Sequence, residues 1–146
     1  MRGIMLLVAV LAFFGLSGQD LPLNRVPSEV ISTFNAKFPS AAAPSWQEVR
    51  TNYFETKFEL NHVRHTAVVD GTGLLVMFKH KIQTSDMPAA VKQMLDSLYK
   101  DYKIGEVEQL SSMGVILYQV ELLGKSPQQK ILLTGNGQIN NVPVFR

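Results

Sequence analysis

One ordered set of landmarks occurs twice in this chain, and it limits the possible folds more than any other feature. Pro27, Val30, Phe34 and Phe38 are each followed 61 residues later by Pro88, Val91, Leu95 and Tyr99. Glu48-Val49 matches Glu106-Val107 at an offset of 58, and Phe58-Glu59-Leu60 matches Val120-Glu121-Leu122 at 62. Gly71-Thr72-Gly73-Leu74-Leu75 matches Gly135-Asn136-Gly137-Gln138-Ile139 at 64. The offsets drift as loop insertions would make them drift, while the order never changes. A recurring order of this kind is the mark of a structural unit written twice.

Each copy reads as a helix followed by strands. Val30, Ile31, Phe34 and Phe38 fall on one helical face, with Pro27 at the entry and Pro39 beyond the exit. Val91, Met94, Leu95, Leu98, Tyr99 and Tyr102 form the broader second stripe, with Asp86 as its N-cap. The remainder alternates with period 2. Phe54, Thr56, Phe58 and Leu60 face the core while Tyr53, Glu55, Lys57 and Glu59 face outward. In the second copy Ile116, Tyr118, Val120 and Leu122 are the core set, and Val115, Leu117, Gln119 and Glu121 the outer set. Strand-like runs at 66–69 and 130–133 lead into the glycine-rich turns 70–73 and 134–137, and final strands follow at 74–79 and 138–144. The expected fold is α+β: two tandem helix-plus-antiparallel-sheet repeats, with the helices on one face of a continuous sheet. Phe34 and Phe58 are expected to be buried together. Trp46, the single tryptophan, is expected to close the core at the helix-to-strand junction.

The stretch FNAKFPSAAAPSWQEVRTNYFETKFELN resembles the PepSY-like, or beta-lactamase-inhibitor-like, family of exported bacterial proteins. The resemblance rests on Phe34, Phe38-Pro39, Trp46, the strand from Tyr53 to Phe58 and the turn from Asp70 to Gly73. In the second copy it rests on Met87-Pro88, Val91, Tyr99, the strand 118–121 and Gly135-Asn136-Gly137. The second copy departs from the pattern: Ile104 stands near the place of the tryptophan, and its helix ends at Asp101-Tyr102 without a proline. The resemblance implies a tandem repeat whose sheet leaves one face open. It brings no agreed biochemical activity.

Residues 1–18 read as a signal peptide: Arg2, an uncharged apolar run over 4–16, then small residues before Gln19-Asp20. Cleavage is expected after Gly18 or after Ser17, leaving no stable membrane span and a periplasmic or secreted protein. The first repeat then covers 19–83 and the second 84–146, together one domain. The chain has no cysteine, which removes disulfides and thiol chemistry. Its 14 basic and 12 acidic residues are interspersed, which argues against nucleic acid as a partner.

No catalytic constellation emerges. His62 and His65, three apart on a strand, would point to opposite faces, and His80 is distant in sequence. The three are read as solvated loop residues, with no metal and no cofactor. Asp70-Gly71-Thr72-Gly73 sits where a hairpin turn is required. Neither a G-x-S-x-G elbow nor a phosphate-cradling loop is present. The functional expectation is a non-enzymatic exported module that binds an unknown periplasmic protein or peptide, with modulation of an enzyme there as one role of such binding. Its surface would be the open sheet face bearing Tyr53, Glu55, Lys57, Glu59, Val115, Leu117, Gln119 and Glu121, with neither Tyr53 nor Leu117 in the core. A structural or accessory envelope protein without a dedicated ligand is the alternative.

Overall fold

The computed structural model describes residues 19–124 and 128–141 of the 146. Among these residues two helices, α1 (Ser28–Lys37) and α2 (Ala89–Leu98), accompany seven strands. These are β1 (Ala42–Arg50), β2 (Tyr53–Leu60), β3 (Val63–Asp70), β4 (Leu75–Ile82), β5 (Lys103–Ser112), β6 (Val115–Leu123) and β7 (Gln129–Thr134). They form one antiparallel meander in sequence order, so β4 pairs directly with β5 across the intervening helix. The fold is α+β. The expected signal peptide lies outside the described residues. Of the expected strand at 138–144, the described part makes one bridge, Ile139 to Leu133, and the rest lies outside.

Both helices lie on the same face. Val30 and Phe34 of α1 pack on Trp46, Phe54, Phe58, Ala67 and Val69. Val91 and Leu95 of α2 pack on Val107, Val120, Leu122 and Leu133. The expected pairing of Phe34 with Phe58 is present, ring centres 5.0 Å apart and edge-on. Trp46 meets Phe34 edge-on at 5.3 Å and is 3% exposed, so it does close the core. It does so from within β1 rather than ahead of the first strand.

The same local devices serve both helices. Short 3-10 turns precede them at Leu23–Arg25 and Thr84–Asp86. Pro27 and Pro88 are the N-caps, with φ of −56° and −55°. Asp86 therefore does not cap α2: it ends the 3-10 turn, and the N-cap, Pro88, makes no side-chain cap hydrogen bond. The helix exits match as well. Phe38 N–H donates to the Phe34 carbonyl and Tyr99 N–H to that of Leu95, so Tyr99 and Tyr102 pack on the core from beyond the helix end. Gly73 and Gly137 have φ of +91° and +81°. A Cβ on Gly73 would lie 3.1 Å from the Glu29 carbonyl oxygen, and one on Gly137 2.6 Å from that of Ala90. Positive φ and close approach together require glycine at both turns.

Thr56 is fully buried beneath Trp46, its partner across β1 and β2, and its hydroxyl has no hydrogen-bond partner among the described residues. A buried hydroxyl without a partner costs free energy that an isosteric apolar group does not. Thr56→Val is expected to stabilise the fold by about 1 kcal/mol. Denaturant titration checks this, and a destabilised variant would contradict it.

Candidate functional site

The face opposite the helices is crossed by rows of side chains set by the strand register. Lys57 stands beside Thr66, Thr66 beside Lys79, Lys79 beside Leu110, and Leu110 beside Leu117. Glu55 stands beside Val68, and Val68 beside Met77. In the next row Lys81 lies beside Glu108, Glu108 beside Gln119, and Gln119 beside Leu132. Tyr53, Glu55, Lys57, Glu59, Leu117, Gln119 and Glu121 thus share one face of one sheet. Val115 stands at its margin, at the tip of the β5–β6 hairpin, and is 54% exposed.

This face is concave. Lys57 of β2 and Lys130 of β7 line the same cavity of about 220 Å³, with Arg64, Thr66, Lys79, Lys81, Glu106 and Glu108 among its other walls. On a flat sheet, strands five apart would be separated by about 24 Å. Curvature has a second consequence, which corrects the expectation for Leu117. Val68, Val76, Met77, Leu110 and Leu117 close on one another as a separate buried cluster, with Tyr53 and Leu132 packed against it. Leu117 is 3% exposed. It belongs to a core on this side of the sheet, and Tyr53 is a half-buried margin of that core. Ile116 is corrected in the other direction: expected inside, it is 50% exposed near the hairpin tip.

What remains accessible on the concave face is mostly charge, bound into pairs. Lys79 Nζ donates to Glu108 Oε2 at 3.1 Å, and Gln119 Nε2 donates to the same oxygen at 2.9 Å. Lys81 meets Glu106 at 3.3 Å and Lys57 meets Glu55 at 3.6 Å. Glu121 turns its carboxylate to the Glu106 backbone N–H at 3.1 Å, beside the register shift in β5.

On the helix face, the histidines depart from their expected place. His65 and His80 are cross-strand partners with rings stacked 5.4 Å apart, not solvated loop residues. His65 also stacks on Phe58 at 5.6 Å and on Phe78 at 5.4 Å. His62 alone is an exposed turn residue. Among the described residues, no group of three His, Cys, Asp or Glu side chains could hold a metal ion. Burial, and then the neighbouring His65, hold the His80 pKa below 6.5. The folded protein therefore resists protonation there. The stability His80 contributes is complete above pH 6.5 and is lost as pH falls from 6.5 through the folded pKa. Thermal unfolding should show a lower Tm at pH 5 than at pH 7.5, and His80→Phe should reduce that difference. An unchanged difference would contradict this account.

Among the described residues, no helix is long and apolar enough to cross a membrane. No family model matches the chain, and no curated protein matches it. Several solved structures do. A Bacteroides eggerthii protein provisionally assigned to the periplasm superposes with a TM-score of 0.70 at 20% identity, over 78% of this chain and 85% of that one. A DUF2874 family protein of Bacteroides uniformis gives 0.70 at 20% identity, over 77% and 85%. A BLIP-like protein of Bacteroides fragilis gives 0.67 at 16% identity, over 83% and 85%. The fold is therefore similar to that of BLIP-like and DUF2874 structures, and at these identities the likeness is one of fold.

Proposed function

We propose that this chain is an exported, non-enzymatic module that holds a protein or peptide partner on its concave sheet face. The observation that carries the reading is the shape of that face. Seven strands curve away from the helices, so that residues of β2 and β7 wall one cavity that neither helix covers. The contact residues would be Tyr53, Glu55, Lys57, Glu59, Val115, Gln119 and Glu121 around the buried Leu117. Residues 1–18 would direct export to the periplasm or beyond. The provisional periplasmic assignment of the Bacteroides eggerthii protein and the BLIP-like description of the Bacteroides fragilis one agree with such a role.

In this reading residues 19–83 and 84–146 are two diverged copies of one unit, with kinship to the PepSY-like family. The paired N-cap prolines, the matching 3-10 turns, and the approach of Gly73 to Glu29 and of Gly137 to Ala90 all support it. The helix positions approached are again 61 residues apart. Duplication would have made the broad sheet that the binding face needs.

A second reading, an envelope accessory protein without a dedicated ligand, is favoured by the ion pairs Lys79–Glu108 and Lys81–Glu106, which tie β4 to β5 across the face. Affinity capture from an envelope extract separates the two. Tyr53→Ser with Lys57→Ala is expected to reduce capture at least tenfold, while Asp96→Ala on α2 leaves it unchanged. Equal capture by all three proteins favours the accessory role.

A further inference from the structure

The cavity on the concave face carries a charge imbalance that the ion pairs do not remove. Among the described residues, five cationic side chains line it, Lys57, Arg64, Lys79, Lys81 and Lys130, against two carboxylates, Glu106 and Glu108. Both carboxylates are engaged, by Lys81 and Lys79 respectively. Among the described residues Lys57 has only its own-strand neighbour Glu55, at 3.6 Å, in a side chain that is 58% exposed. Such a pair is worth little in water.

Arg64 and Lys130 lie on exposed positions, and their side chains form no ion pair or hydrogen bond among the described residues. Their register neighbours are both glutamates, Glu59 and Glu121. Glu121 is nevertheless drawn to the Glu106 backbone N–H. Two cations on opposite sides of a concave wall, each beside an acid that does not pair with it, make an electrostatic receptor for an anion.

Resting on the proposed binding face, we infer that this cavity receives an acidic segment of the protein partner, one carrying two or more carboxylates close in sequence. The spacing favours a peptide over a small tetrahedral anion. Arg64 and Lys130 come from strands four apart, about 19 Å on a flat sheet, and curvature shortens that distance without bringing them side by side. A run of acidic side chains can reach both at once, and the Arg64 guanidinium can take a carboxylate through two parallel N–H donors.

The test uses hexaglutamate peptide as the probe, titrated into the mature chain at low salt and followed by backbone amide NMR. Saturable shifts are expected on β3, β4 and β7, with hexalysine giving none. Arg64→Gln with Lys130→Gln should weaken hexaglutamate binding at least tenfold. Both residues are exposed, so thermal melting should report an intact fold. Three results would overturn the inference: no hexaglutamate binding by the parent, equal binding by the double variant, or tighter binding of inorganic phosphate than of the peptide. If hexaglutamate fails while concave-face variants still lose the captured partner, the acidic-segment inference falls alone. If those variants also capture the partner undiminished, the binding-face reading falls with it.

Discussion

Replacing Phe58 with alanine will lower the free energy of unfolding by about 3–5 kcal/mol, the cost of removing a large buried ring whose cavity cannot collapse. Phe58 is 2% exposed and lies within 5.6 Å, ring centre to ring centre, of Phe34, Phe38 and His65. These neighbours come from α1, its C-cap and β3, so no single shift refills the space. Urea titration of parent and variant measures the difference. A loss under about 1 kcal/mol, the level of an ordinary surface change, would mean that α1 does not seat on this ring.

Leu117→Ala will cost about 2–5 kcal/mol although its side chain points away from both helices. Its partners Val68, Val76, Met77 and Leu110 are buried with it on the concave side. Lys57→Ala, on the same face but exposed, should stay within about 0.5 kcal/mol. The pair of variants separates a second apolar core from an ordinary solvated face. Equal, small losses at both positions would return Leu117 to the surface.

The contrast between Phe58 and Leu117 marks what could be read in the sequence. Alternation in Tyr53–Leu60 is strict, and the buried positions Phe54, Thr56 and Phe58 follow it without a slip. Period 2 says which residues share a face, and it placed Leu117 with Lys57 and Gln119. It does not say how far the sheet curves, and curvature is what hides Leu117. The β1 strand was hard to delimit for another reason. Its run AAPSWQEVR has a proline, two alanines and mostly exposed positions, as an edge strand tolerates. In β5 a register shift between Ile104 and Val107 interrupts the alternation. In β3 and β4 another lets the consecutive residues Val76 and Met77 both be buried.

The candidate site was legible in part. The outer-face residues of β2 and β6 could be named from their phase alone. The cationic residues that complete the cavity, Arg64, Lys79, Lys81 and Lys130, come from β3, β4 and β7. They enter once strand order is known, and a meander continuing through the helical connection between β4 and β5 is a tertiary choice. The His65–His80 pair escaped for the same reason, since two residues fifteen apart meet only through the register of β3 with β4.

Site-specific photo-crosslinking tests the central claim most directly. A benzophenone side chain placed at position 57 or 119, on the concave face, is expected to yield a discrete crosslinked protein when the chain is produced in its native cell and irradiated. The same group at position 96, on the solvent side of α2, is expected to yield none. Crosslinks from position 96 equal to those from 57 and 119, or none from the concave face, would contradict the claim that this face holds a partner.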